Sequence, residues 1–312
     1  MDHDRYHRER RAAILRERPE VKELYGHSPG VAALAAIVVA GQLALAAALA
    51  QQPWWIAVLA AIAIGAFATH FLNVVIHECS HNLVFRSPHL NRACAILANL
   101  PAVVPSAMAF RHYHLLHHRF LGQRGLDADA TPAWEVNLVG HGWPRKALWL
   151  IAQPLFYGII HPLQVRRPLA LDRWLVANLL AVPAVAMGVL YEFGWSALAY
   201  LAVSTYFAIG PHPTGAHTIQ EHFNIRGSDE TASYYGPVNA ISLNHGLHLE
   251  HHDFPNIPGW RLGRLRQLAP EFYAGRFRYR SRLLSLWRFV VDRDVALDRR
   301  VFRDDRSDLA EA

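Results

Sequence analysis

Three short histidine clusters sit at the edges of long apolar blocks: HECSH at His77 to His81, HLLHH at His114 to His118, and HLEHH at His248 to His252. On a helix, residues three and four apart share a face. His77 and His81 therefore point one way, as do His114, His117 and His118, and again His248, His251 and His252. Any fold must bring three distant segments together at one place. Zinc usually takes four ligands, so eight imidazoles imply two metal ions. Dense imidazole ligation suits zinc, copper, iron or nickel better than magnesium or calcium. A closed structural zinc site has no use for eight histidines. A di-iron centre with positions open to oxygen fits both the count and the placement.

The apolar residues, 52% of the chain, lie in blocks with the charges between them. Val31 to Ala50 and Trp54 to Val75 are each long enough to cross a bilayer. Trp174 to Leu190 and Trp195 to Ile209 form a later pair, the last short for a span and expected to be either tilted or extended through Pro211. Arg5, Arg8, Arg10, Arg11, Arg16, Arg18 and Lys22 precede the first block, which the positive-inside rule places in the cytoplasm. The connections Gln51 to Pro53 and Tyr191 to Gly194 carry no Lys or Arg. Two helical hairpins then return all three histidine clusters to the cytoplasmic face. Ala93 to Met108, interrupted by Pro101 and Pro105, is expected to be a re-entrant or interface-hugging element rather than a span, and Ala147 to Ile160 to lie on the membrane surface.

The expected architecture is an all-α integral membrane protein with about four transmembrane helices in two hairpins. A cytoplasmic helical cap holds a histidine-ligated di-metal site. It forms a single domain, divided into a cytoplasmic N-terminal segment (1–30), a first hairpin (31–75), an interfacial region with the first two clusters (76–173), a second hairpin (174–211) and a cytoplasmic region with the third (212–312).

A ninth ligand is sought in GPHPTGAHTIQEHF, where His212, His217 and His222 are spaced by five. A step of five rotates a helical side chain by about 140° relative to its start, so the three cannot share a face. His222 is the choice because IQEHF follows the last span; His217 is the alternate. Glu78, Glu221, Asn244, Glu250 and Asp253 are candidates to hold imidazoles by accepting their free N–H. Asp127 and Asp129 in GLDADAT either contact a substrate head group or organise a polar turn. His70 is seven residues before His77, on the same helical face, and is expected to bond a neighbouring helix rather than line a substrate path. No side chain is expected to act as a nucleophile.

The stretch SYYGPVNAISLNHGLHLEHHDFPNIPGW, with HECSHN, YHLLHHRFLG, RRAAILRERPEVKEL, NRACAILANLP and QPLFYGIIHPL, resembles the sphingolipid Δ4-desaturases, or dihydroceramide desaturases, nearly end to end. The resemblance implies a membrane di-iron enzyme that uses O2 and two external electrons. It would remove two hydrogens across C4 and C5 of the sphingoid base of dihydroceramide, leaving a trans double bond. It places the metal ligands at His77, His81, His114, His117, His118, His248, His251 and His252, with the extra ligand at His222. Leu115, Leu116 and Leu249 stand where the family often has polar residues. A sphingolipid C4-hydroxylase or an acyl-lipid desaturase shares the same chemistry. From another class, a zinc-dependent ceramide hydrolase needs about three protein ligands and leaves most of the histidines unexplained.

The chain has no nucleotide-binding glycine motif and no fused haem signature, so electrons come from a separate donor of cytochrome b5 or ferredoxin type. Arg261, Arg264, Arg266, Arg276, Arg278, Arg280 and Arg282 are candidates to dock it, or to attract membrane lipids. The pI near 9.5 does not indicate nucleic acid, because the charges flank apolar spans. Lysine occurs only at Lys22 and Lys146 in an Arg- and Ala-rich chain, which favours a bacterial cytoplasmic membrane over endoplasmic reticulum.

Overall fold

The computed structural model describes residues 5–223 and 230–302. The charged helix α1 (Arg5–Glu17) leads through a short turn to α2 (Gly30–Ala48), which is apolar on every side. After Pro53 comes α3 (Trp54–Ser80), with a single π turn at Ala61–Gly65. α3 runs past the expected end at Val75, because HECS contains no helix breaker. Its last turn carries His77, and His81 caps it before Asn82 turns the chain with a positive φ of 58°.

α4 (Pro88–Asn99) starts at a Ser87 cap with proline in its first turn, and α5 (Ala107–Phe120) carries the second cluster. The two are bent by 118°, with Pro101 and Pro105 in the break where one apolar element was expected. Asn99 fixes the bend: its Oδ1 accepts from Ser106 N (2.9 Å), Ala107 N (3.0 Å) and Asn178 Nδ2 (3.0 Å). α6 (Trp143–Leu155) buries Lys146 and Trp149 but exposes Leu148, Ile151 and Leu155, an apolar outer face.

α7 (Arg173–Ile209) covers both later apolar blocks. Only Gly194 within it is non-helical (φ 78°, ψ −174°), a conformation that glycine alone adopts freely. Leu175 packs with Val31 and Leu72, whereas Val189 and Ala197 pack with Ala46, Leu49, Ala57 and Ala61. Beyond Gly194 the chain runs back along α3. There a Cβ on Gly65 would lie 1.9 Å from Ser204 Oγ, so Gly65 permits a very close approach. Gln42 ties the three helices, donating to Thr69 Oγ1 (2.9 Å) and accepting from the Tyr200 hydroxyl.

α2, α3 and α7 are long and apolar enough to cross a membrane, and the bent α4–α5 pair makes a possible fourth crossing. Their outward side chains, including Ile37, Leu59, Ile64, Leu180 and Met187, are exposed, which suits lipid rather than water. Trp54, Trp55 and Trp195 lie exposed near one end of this bundle, as interfacial anchors do.

The third cluster forms α8 (His248–Asp253), followed by α9 (Gly259–Leu268) and α10 (Arg282–Val291). The described residues are not purely helical: Ser233–Tyr234 and Arg278–Tyr279 pair as a parallel two-residue ladder. α1 is not a loose basic tail, because Ile14 packs with Leu249, Phe254 and Leu262. Two of the basic residues proposed for docking are also committed elsewhere. Arg282 is buried, and Arg261 donates to the carbonyls of Leu24 and Tyr25.

Candidate metal centre

The end of α3, the second half of α5, the loop after α7 and helix α8 converge, and their imidazoles sort into two groups. His77, His81, His114, His118 and His251 form the first; His117, His222, His248 and His252 form the second. Within each group the potential ligand atoms lie within 4.8 Å of one another. The groups abut, with the His118 and His252 rings stacked at 4.3 Å.

The nitrogens face one another. His77 and His251 Nε2 are 3.1 Å apart, His81 and His114 Nε2 2.8 Å, and His222 and His248 Nε2 2.9 Å. Two nitrogens each about 2.1 Å from a common ion, at roughly right angles, lie about 3 Å apart. His252 Nε2 is buried with no hydrogen-bond partner among the described residues, as expected of a lone pair reserved for a metal. An all-imidazole donor set fits borderline transition metals, so the residues present fit a pair of them.

Each polar residue expected near the ligands has a defined partner. Asp127 is buried; it accepts from His117 Nδ1 (3.0 Å), Gly122 N (2.7 Å) and Asp129 N (2.8 Å). Burial disfavours its charge, but His117 and these N–H groups hold the carboxyl below its ordinary range. That geometry directs Asp127 at an imidazole, while the partly exposed Asp129 places its Oδ2 3.6 Å from the same His117 nitrogen and 3.9 Å from Arg300 Nη2. Asp127→Asn is expected to weaken metal retention and activity by about 10–100-fold, read by metal analysis; full occupancy would show that the carboxylate only shapes the turn.

Glu78 accepts from Gly259 N at 3.0 Å and so ties the first cluster to the start of α9. Asn244, at φ 60°, donates to the carbonyls of Gly259 and Trp260 and faces the backbone. Glu250 accepts from Ser233 Oγ and Tyr235 Oη, away from the imidazoles. Asp253 accepts from His7 (2.8 Å) and Arg10 (2.9 Å), pinning α1 against α8. Glu221 Oε1 lies 3.7 Å from His248 Nδ1 and 3.4 Å from His245 Nε2. Burial pushes its carboxyl up to about 8 despite the opposing charge of Arg282.

His217 Nδ1 donates to the Thr214 carbonyl at 2.7 Å, and His217 groups with Glu221 and His245 instead of the nine imidazoles. His245 escaped the sequence reading, although it precedes His248 by three residues, the same helical spacing that marked the clusters. His7 and Arg10 carried no comparable signal, and Arg10 counted only among the basic residues that set the topology.

This site belongs to the class of the fatty acid desaturases, whose family matches residues 53–283. Residues 1–30 match a second family, described as sphingolipid Delta4-desaturase. A sphingolipid delta(4)-desaturase DES1-like protein of Oryza sativa subsp. japonica is 40% identical over 292 residues, covering 94% of this chain and 88% of the relative. The Homo sapiens sphingolipid delta(4)-desaturase/C4-monooxygenase DES2 is 37% identical over 307 residues, covering 96% and 93%. The Drosophila melanogaster sphingolipid delta(4)-desaturase DES1 is 36% identical with the same coverage of both chains. The chain belongs to the sphingolipid Δ4-desaturase family.

Proposed function

We propose that this protein is an oxygen-dependent desaturase that introduces the C4–C5 double bond into the sphingoid base of dihydroceramide. The carrying observation is the convergence of nine imidazoles, from three clusters and His222, into two adjoining groups beside membrane-length helices. The reaction takes two hydrogens from the lipid and, with two electrons and two protons from outside, reduces O2 to two waters. Two iron ions would supply the oxidising power for an unactivated C–H bond, with the first group holding one and the second the other. The chain's own part is to position and to exclude water. Asp127 keeps the His117 Nε2 lone pair turned inward by accepting from Nδ1. The apolar helices hold the alkyl chain in register, where a misplacement of about 1 Å can cost on the order of a hundredfold in rate.

In this reading the chain is a single membrane domain of two hairpins, 31–75 and 174–211. The metal centre lies under a cytoplasmic cap that includes the N-terminal segment. The low lysine content favours a bacterial cytoplasmic membrane. Electrons arrive from an acidic cytochrome b5 or ferredoxin type donor at Arg276, Arg278 and Arg280, beside the short ladder. Reversing these three charges is expected to slow donor-dependent turnover several-fold at low salt while leaving metal content intact. Unchanged turnover in neutral detergent would mean that the charges serve the lipid surface.

The deciding experiment is mass spectrometry of lipids from cells that express this chain with an electron donor and labelled dihydroceramide, beside a His114→Ala control. A product lighter by two hydrogens, with its double bond at C4 and absent from the control, establishes the activity. C4 hydroxylation, named for the human relative, would instead give a product heavier by one oxygen. Unsaturation confined to fatty acyl chains would retain the chemistry and overturn the substrate.

A further inference from the structure

Beside the two imidazole groups lie five polar side chains that the metal centre does not use: His70 on α3, His217, Glu221, His245, and Arg282 on α10. The His217 ring is 5.5 Å from those of His70 and His245, and His70 lies 6.0 Å from His245. Arg282 Nη1 donates at 2.9 Å to the Thr214 carbonyl, which also accepts from His217 Nδ1 at 2.7 Å. The cluster touches ligands of both groups: the His245 ring is 5.0 Å from His77, and Glu221 Oε1 is 3.7 Å from His248 Nδ1.

Its polar atoms are poorly satisfied. Among the described residues, His70 Nε2, Glu221 Oε1, and Nε and Nη2 of Arg282 are buried without a hydrogen-bond partner. Buried polar groups nearly always have partners, so these four atoms are left to bond a polar guest. Arg282 disfavours a cation there. A guanidinium that only donates, with a carboxyl group and imidazoles that donate or accept, suits a group with several hydroxyl and amide functions.

The chemistry of the substrate calls for such a group at this distance. In a sphingoid base the C3 hydroxyl is two bonds from C4, and the amide nitrogen is one carbon further away. A C4–C5 bond brought to the metal pair therefore carries its polar head into the immediate surroundings of the ligands. His70 lies seven residues before His77 on α3, about 10 Å along the helix axis, so the cluster extends from the metal centre along the apolar bundle. We propose that His70, His217, Glu221, His245 and Arg282 form the subsite for the neutral amide-and-hydroxyl head of the sphingoid base and thereby select C4–C5 for reaction. This rests on the sphingolipid reading above.

The test compares dihydroceramide with its analogue lacking the C3 hydroxyl, using purified wild-type protein and the variants His245→Leu, His217→Leu and, as a conservative control, His245→Gln. Metal content and thermal stability are measured on each. A site built to hydrogen-bond a hydroxyl discriminates strongly against its absence, so wild type is expected to favour dihydroceramide in kcat/KM on the order of a hundredfold or more. Both leucine variants should lose most of that preference through a fall on the hydroxylated substrate alone, and His245→Gln should restore part of it. Metal content should stay at the wild-type level throughout. An equal fall on both substrates, or loss of a metal ion with His245, would overturn the subsite, the latter in favour of a third cation. If wild type desaturates dihydroceramide and the variants keep its preference, the subsite alone fails. Desaturation of neither sphingolipid by wild type would overturn the functional reading and the subsite with it.

Discussion

His222→Ala should abolish desaturation and release about half of the bound metal, while His217→Ala, five residues earlier, should release none. The difference follows from where the two imidazoles lie. His222 Nε2 is 2.9 Å from His248 Nε2 and belongs to the smaller group, which is left with His117, His248 and His252 when it is removed. The larger group keeps all five of its imidazoles. Changes to residues that only support a metal ligand typically cost 10–100-fold, so deleting a ligand should cost at least on the order of 100-fold in turnover. Metal analysis of both purified variants decides the matter. Loss of metal from His217→Ala with retention in His222→Ala would exchange their roles and overturn the two-group assignment.

Arg10→Met is expected to destabilise the protein by up to about 3–5 kcal/mol, the cost of breaking a buried ion pair, with only His7 left on Asp253. Asp253 is fully buried, and Arg10 Nη2 donates to its Oδ2 at 2.9 Å while His7 Nδ1 donates to Oδ1 at 2.8 Å. Burial works against the Arg10 charge, yet Asp253 outweighs it and holds the guanidinium more firmly protonated than usual. Because Asp253 directly follows His252, slackening this clamp should also loosen metal in the second group. The double variant Arg10→Met with Asp253→Leu should recover much of the stability, since replacing both partners with apolar residues is often neutral or better. Thermal unfolding in detergent with parallel metal analysis would read both effects. A single variant as stable as wild type would show that α1 is held by its apolar contacts alone.

Much of the site was legible because its chemistry repeats in short range. Spacings of three and four within HECSH, HLLHH and HLEHH need only the helix to be interpreted, and α3, α5 and α8 supply it. Position after the last apolar block singled out His222 over its two neighbours. Contacts between segments remote in sequence were not legible in this way. His245 was visible by spacing but sits in a loop, not on α8. Arg282 resembled its surface neighbours until burial separated it from them. Asp127, one of two acids in GLDADAT, faces His117 only because the chain turns at Gly122 and Gly125, both with positive φ.

By itself the sequence determined the helical class, the membrane-length blocks and the identity of the clustered imidazoles, because periodicity and hydropathy are local properties of a chain. How the imidazoles divide was decided only by the tertiary structure. His117 leaves its own cluster to join His222, while His251 parts from His248 and His252 to join His77 and His81. Which side of a helix meets which neighbour depends on how helices pack and cross, and that packing is set by side chains tens to hundreds of residues away.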